Sequence, residues 1–166
     1  MKRWILVSCL VLGCSTVAWG QDAAPQAKPV KVPDQETLNK QFAESLSGSK
    51  LVGRFTVFGK EDEPAAQEEY TIASVSKLKE GDFWLFKARI KYGDKDVTLP
   101  LPLEVKWAGD TPVITLTDFT IPGMGTFSAR VVIYRDNYAG WWQHGEHGGH
   151  LYGKVEKLKP DAANEK

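Results

Sequence analysis

The chain has 166 residues, with 21 basic and 21 acidic side chains and a formal net charge of zero. Removing Lys2 and Arg3 with a leader leaves 19 basic residues against the 21 acidic ones. That balance excludes the strongly basic surface that nucleic acid or an anionic membrane partner would need. The length suits one domain able to bury a sufficient core.

Met1-Lys2-Arg3, the apolar run from Trp4 to Leu12 and Ala18-Trp19-Gly20 ahead of Gln21 predict a secretory signal peptide over residues 1–20. The run is too short for a spanning helix, which takes ~20 apolar residues. A competing reading takes Val11-Leu12-Gly13-Cys14 as a lipobox-like stretch that leaves Cys14 lipidated and the domain anchored to the cell envelope. The first reading makes the protein periplasmic or secreted; a membrane enters only through Cys14. Both cysteines belong to the leader or its edge, so cleavage after Gly20 leaves a chain without disulfides in a compartment that permits them.

Residues 21–33, rich in Ala, Pro and Gln, read as a flexible tether, and residues 159–166 as a disordered polar tail. The folded domain is expected over 34–158. Asp34 is a natural N-cap for a helix running to about Leu46, with Leu38, Phe42 and Leu46 on one face and Gly48 as the stop. That stripe must pack on something, and the rest of the chain is strand, so the helix is expected to lie across a sheet or close one end of a barrel.

From Leu51 onward the apolar period becomes two. Trp84, Phe86, Ala88, Ile90 and Tyr92 share one face, as do Leu99, Leu101, Leu103, Val105 and Trp107, and again Phe127, Ala129, Val131 and Ile133. About eight runs are predicted, at 51–58, 68–77, 83–92, 96–107, 112–121, 126–135, 138–144 and 149–158. The turns between them are too short for crossover helices, so neighbours should pair antiparallel. The expected fold class is all-β: an antiparallel up-and-down meander closing as a barrel, with a two-sheet sandwich as the other arrangement that fits. Pro100 and Pro102 remove two N–H donors on the same side of one strand, which predicts a bulge, a frayed seam or an exposed edge there. A weak echo links Leu51-Val-Gly53-Arg54 to Leu151-Tyr-Gly153-Lys154, from which no repeat is drawn.

Three segments are candidates for chemistry. His144, Glu146, His147 and His150 crowd one glycine-rich stretch, where a hairpin tip could set His144 opposite His150 with His147 and Glu146 at the turn. Imidazoles and a carboxylate converging there would suit Zn²⁺, Cu²⁺ or Ni²⁺, although no known ligand spacing is matched. The plain alternative is a polar turn with solvated histidines. Trp84, Trp107, Trp141 and Trp142 are the candidate ligand-binding residues for a small apolar molecule inside the barrel; the alternative is that these rings fill the core. The adjacent Trp141 and Trp142 should point one ring each way. The acidic run from Glu61 to Glu69 reads as a solvated hairpin loop, and Glu104 and Asp118 as isolated carboxylates. No catalytic residue is assigned, since there is no nucleophile elbow, cysteine nucleophile or phosphate loop.

Leu46-Ser-Gly-Ser-Lys-Leu-Val-Gly-Arg-Phe-Thr, Tyr70-Thr-Ile, Trp107-Ala-Gly-Asp-Thr-Pro-Val-Ile, Ile121-Pro-Gly-Met-Gly-Thr-Phe and the stretch from Tyr138 to His150 resemble small exported proteins of unknown function from planctomycete-type bacteria. The resemblance covers about residues 40–157 and implies no activity. In broad shape the meander is similar to lipocalins and avidins, which implies a small molecule held inside the barrel without assigning its contact residues. The leading expectation is a non-enzymatic exported barrel that binds a small apolar ligand or an envelope partner; the alternative is a metal-binding protein using the histidine-rich hairpin.

Overall fold

The computed structural model describes residues 32–92 and 94–159. The predicted leader, most of the tether and the tail beyond Lys159 lie outside the described residues. Helix α1 (Gln35–Leu46) precedes eight strands: β1 (Ser49–Phe55), β2 (Ala66–Lys77), β3 (Phe83–Tyr92), β4 (Lys95–Ala108), β5 (Thr111–Ile121), β6 (Gly125–Tyr134), β7 (Asn137–His144) and β8 (His147–Lys157). Each strand pairs antiparallel with its sequence neighbours, and β8 closes on β1, so the meander is a closed barrel. Closure gives every strand a hydrogen-bonded neighbour on each side, which two packed sheets would not.

The alternation read from the sequence sets the inner face. Trp84, Phe86, Ala88 and Ile90 are buried, as are Leu101, Leu103 and Val105. Outward positions carry charge: Arg89 forms a two-pronged pair with Asp96, both bonds at 2.7 Å, and Lys106 reaches Asp82 and Glu104 at 2.7 Å. An apolar interior with a charged exterior is the reverse of a membrane-spanning barrel, whose apolar band faces lipid.

Two strands change parity midway. The inner face of β2 runs Glu68, Tyr70, Ile72 and then Val75, because the register shifts between Ile72 and Ser74. That of β5 runs Ile114, Leu116 and then Phe119 and Ile121 across a second shift, where Asp118 takes a φ of 47°. Such bulges bend a strand and raise its twist, which a small barrel needs in order to close.

The prolines act as expected. The β3–β4 ladder runs unbroken through Lys87 opposite Pro100 and Leu85 opposite Pro102, so the missing donors fall on the β5 side. There the β4–β5 ladder covers only Glu104–Ala108 against Thr111–Thr115. The first half of β4 and the second half of β5 are therefore an open seam in the wall.

Helix α1 closes one end. Asp34 caps it through bonds from the Thr37 amide at 2.9 Å and the Thr37 hydroxyl at 3.0 Å. Leu38, Phe42 and Leu46 are buried, and the Phe42 ring meets Trp84 edge-on at 5.0 Å and Trp107 at 5.9 Å. At the helix C-terminus Lys157 from β8 donates to the Glu44 carbonyl and, at 2.9 Å, to that of Ser47, placing a cation where free carbonyls gather.

Candidate functional site

The helix plugs the end where Trp84, Val105 and Trp107 lie, which leaves the middle and the opposite end of the barrel to be filled by smaller side chains. They do not fill it. A cavity of about 170 Å³ runs through the interior, walled by apolar groups including Ile72, Phe86, Ala88, Leu103, Ala129 and Met124. Met124 belongs to the β5–β6 turn yet is only 7% exposed, folded over the inner face. Beyond it lies a mouth of about 320 Å³ lined by Phe55, Val57, Glu68, His144 and His147. Tyr70, Phe127, Trp142 and Leu151 line both spaces.

The four candidate tryptophans separate accordingly. Trp84, 1% exposed, and Trp107 belong to the plug against Phe42 and do not line the cavity. The indole N–H of Trp84 has no hydrogen-bond partner among the described residues, so aromatic packing holds that ring in place. Trp142 stands at the junction of cavity and mouth, its Nε1 donating to the Thr56 carbonyl at 3.2 Å and its ring edge-on to Phe55. Trp141 is half-buried on the other face, where its cross-strand partners are the exposed Arg130 and His150. The pair does point one ring each way.

The histidine-rich segment forms a hairpin, but in another register from the one expected. The turn is Gly145-Glu146, so His144 pairs with His147, and His150 pairs with Trp141. Three residues beyond His147, His150 falls on the opposite face, where it meets the exposed Phe58 ring at 5.0 Å. His144 turns inward and stacks on Phe127 at 4.4 Å. Among the described residues no three His, Cys, Asp or Glu side chains are placed to hold a metal ion. His144, Glu146, His147 and His150 do not converge.

Glu68 is a further site residue, one that its acidic neighbours concealed. Instead of ending a solvated loop it lies inside the barrel wall, 4% exposed. Its Oε1 accepts from the Tyr138 hydroxyl and its Oε2 from the Tyr70 hydroxyl, each at 2.8 Å. The parity of Glu68, Tyr70 and Ile72 was the signal that could have found it. Tyr138 comes from β7, and its ring reaches Glu68 along a row of cross-strand neighbours: Tyr138 opposite Gly153, Gly153 opposite Gly53, Gly53 opposite Glu68. The two glycines leave the space in which the ring lies, since a Cβ on Gly153 would stand 2.7 Å from Tyr138 Cε1. The echo between β1 and β8 thus has a local cause, since its glycines are register partners. The other acidic positions are ordinary: Glu104 pairs with Lys106, and the Asp118 carboxylate accepts from the Ser128 hydroxyl.

Burial raises the Glu68 carboxyl above its ordinary 4.5, because lost hydration penalises the ionised form more than the two tyrosine bonds favour it. Burial, and then the neighbouring carboxylate, push the Tyr138 phenol well above its usual range. A carboxyl that binds its proton more tightly in the folded state contributes most to stability below the unfolded value near 4.5. That contribution is lost as pH rises through the folded value. Glu68→Gln, which stays neutral, is therefore expected to melt above the unaltered protein at about pH 8 and to lose that advantage at about pH 4. Thermal melts at both pH values check this.

Comparison with known proteins returns no match: no family model fits the chain, and no curated protein and no solved structure matches it. The eight-stranded barrel is consistent with a lipocalin-like shape, while the likeness to planctomycete-type exported proteins gains nothing from these comparisons.

Proposed function

We propose that this protein is an exported, non-enzymatic barrel that binds one small apolar molecule in its interior. The observation that carries the reading is the hollow, almost wholly apolar inner cavity opening into an aromatic mouth. Ligand sites are typically clefts of ~300–1,000 Å³ lined by apolar and aromatic groups with a few placed polar ones, and the joined spaces have that character. The hollow interior favours a small ligand over an envelope partner, which would need a contact surface instead.

Octanol titrated into the protein by calorimetry tests the reading. Saturable binding of one molecule per chain, with a negative heat-capacity change, is expected from burial of apolar surface. No saturable heat at up to roughly millimolar octanol, equivalent to binding weaker than about −4 kcal/mol, would reject it.

Export rests on the amino-terminal pattern of cations, apolar run and small-residue cleavage site. Expression of the full chain in a bacterial host should yield periplasmic protein whose intact mass lacks residues 1–20. Cytoplasmic protein retaining them contradicts export, and a lipid-bearing Cys14 transfers the protein to the anchored form.

A further inference from the structure

We infer that the mouth recognises a protonated amine, so that the ligand is an apolar molecule carrying one ammonium group; this rests on the proposed apolar-ligand function. Glu68 is the one carboxylate among the residues lining the mouth, and no Lys or Arg among the described residues pairs with it. Its two tyrosine partners each occupy one lone-pair site on a different oxygen, leaving each oxygen further acceptor capacity. Two neutral hydroxyls satisfy its geometry but do not balance its charge. A buried carboxylate without a cation is an expensive arrangement, and a ligand that supplies the cation removes the expense.

The surroundings narrow the head group. Phe55, Tyr70, Phe127 and Trp142 line the same mouth, and aromatic faces attract a cation, most strongly where water is excluded. An ammonium offers three donors and a positive charge, whereas an alcohol offers one neutral donor. A fatty-acid carboxylate would meet Glu68 as a like charge. His144 and His147 also line the mouth, and His144 is held in place by its stack on Phe127. The apolar cavity behind the head group then takes the body of the ligand.

Three probes of one chain length separate the possibilities: octylamine, octanol and octanoate, each titrated as monomer into the full protein at neutral pH and followed by calorimetry. Octylamine is expected to bind at least roughly tenfold more tightly than octanol, with octanoate weakest. In Glu68→Gln the preference is expected to vanish, with octylamine binding that variant no more tightly than octanol does. Equal binding of octylamine and octanol, or tighter binding of octanoate, overturns the amine assignment and leaves the apolar-ligand reading standing. Binding of none of the three overturns both. The comparison on the unaltered protein decides the matter even if the variant fails to fold.

Discussion

Phe42→Ala is expected to lower the stability of the domain by about 3–5 kcal/mol, the usual cost of removing a buried aromatic side chain. Phe42 is 3% exposed and its ring meets Trp84, Phe86 and Trp107, three residues from two strands of the wall. Removing it leaves a cavity under a helix that cannot collapse inward, because Leu46 and the Asp34 cap fix both of its ends. The loss should exceed the area term alone, since the emptied space joins a barrel that is already hollow behind it. Urea unfolding followed by circular dichroism measures it. A cost below about 1 kcal/mol would mean that α1 rests on the barrel without sealing it.

Gly153→Val is the second large effect, expected to cost roughly 3 kcal/mol or more. Overpacking alone costs about 1–3 kcal/mol, and losing a hydrogen bond to a charged group adds about 1.5–3. The Cβ of residue 153 would collide with the Val52 carbonyl, stand 2.6 Å from Gly53 Cα and press on the Tyr138 ring. Backbone on one side cannot yield without opening the β1–β8 closure, so the ring must move and release Glu68. Gly109→Ala is the contrast: its φ is 66°, but nothing lies within 4 Å of the added Cβ, so only the conformational penalty of roughly 1–2 kcal/mol applies. If the two substitutions cost the same, the glycine row is not what makes room for Tyr138.

Most of the barrel was legible because it depends on local features. The inward positions from Trp84 to Ile90 and from Leu101 to Val105 follow from side chains alternating across a strand, and the turn residues mark where each run reverses. The Pro100-Leu101-Pro102 spacing also disclosed the seam, because a missing donor is a property of the residue itself. Helix α1 was legible for the same reason, with its cap and its stripe both written between Asp34 and Leu46.

What was not legible depends on register. A one-residue bulge is invisible in composition, yet it carries Val75 and Phe119 onto the inner face. The turn at Gly145-Glu146 decided that His144 meets His147, and that register placed His150 outside. A shift of one residue reverses every face beyond it, so a cluster that is compact in sequence can be divided in space. Glu68 was hidden differently. Its charge and its acidic neighbours suggested solvent, whereas its partner Tyr138 lies seventy residues away and reaches it only because two glycines from the first and last strands meet. The cavity was hidden as well: alternation names the inward side chains but does not say whether they meet across the middle.

A paired titration distinguishes a hollow interior from a packed one. Octanol is titrated by calorimetry into the unaltered protein and into Ala129→Phe, whose added ring would occupy the cavity lined by Ala129, Leu103 and Ile114. Saturable binding to the first is expected, with a loss of roughly tenfold or more in affinity in the second and the variant still folded. Equal affinity in both would place the octanol outside the barrel and rule out the interior as the binding site.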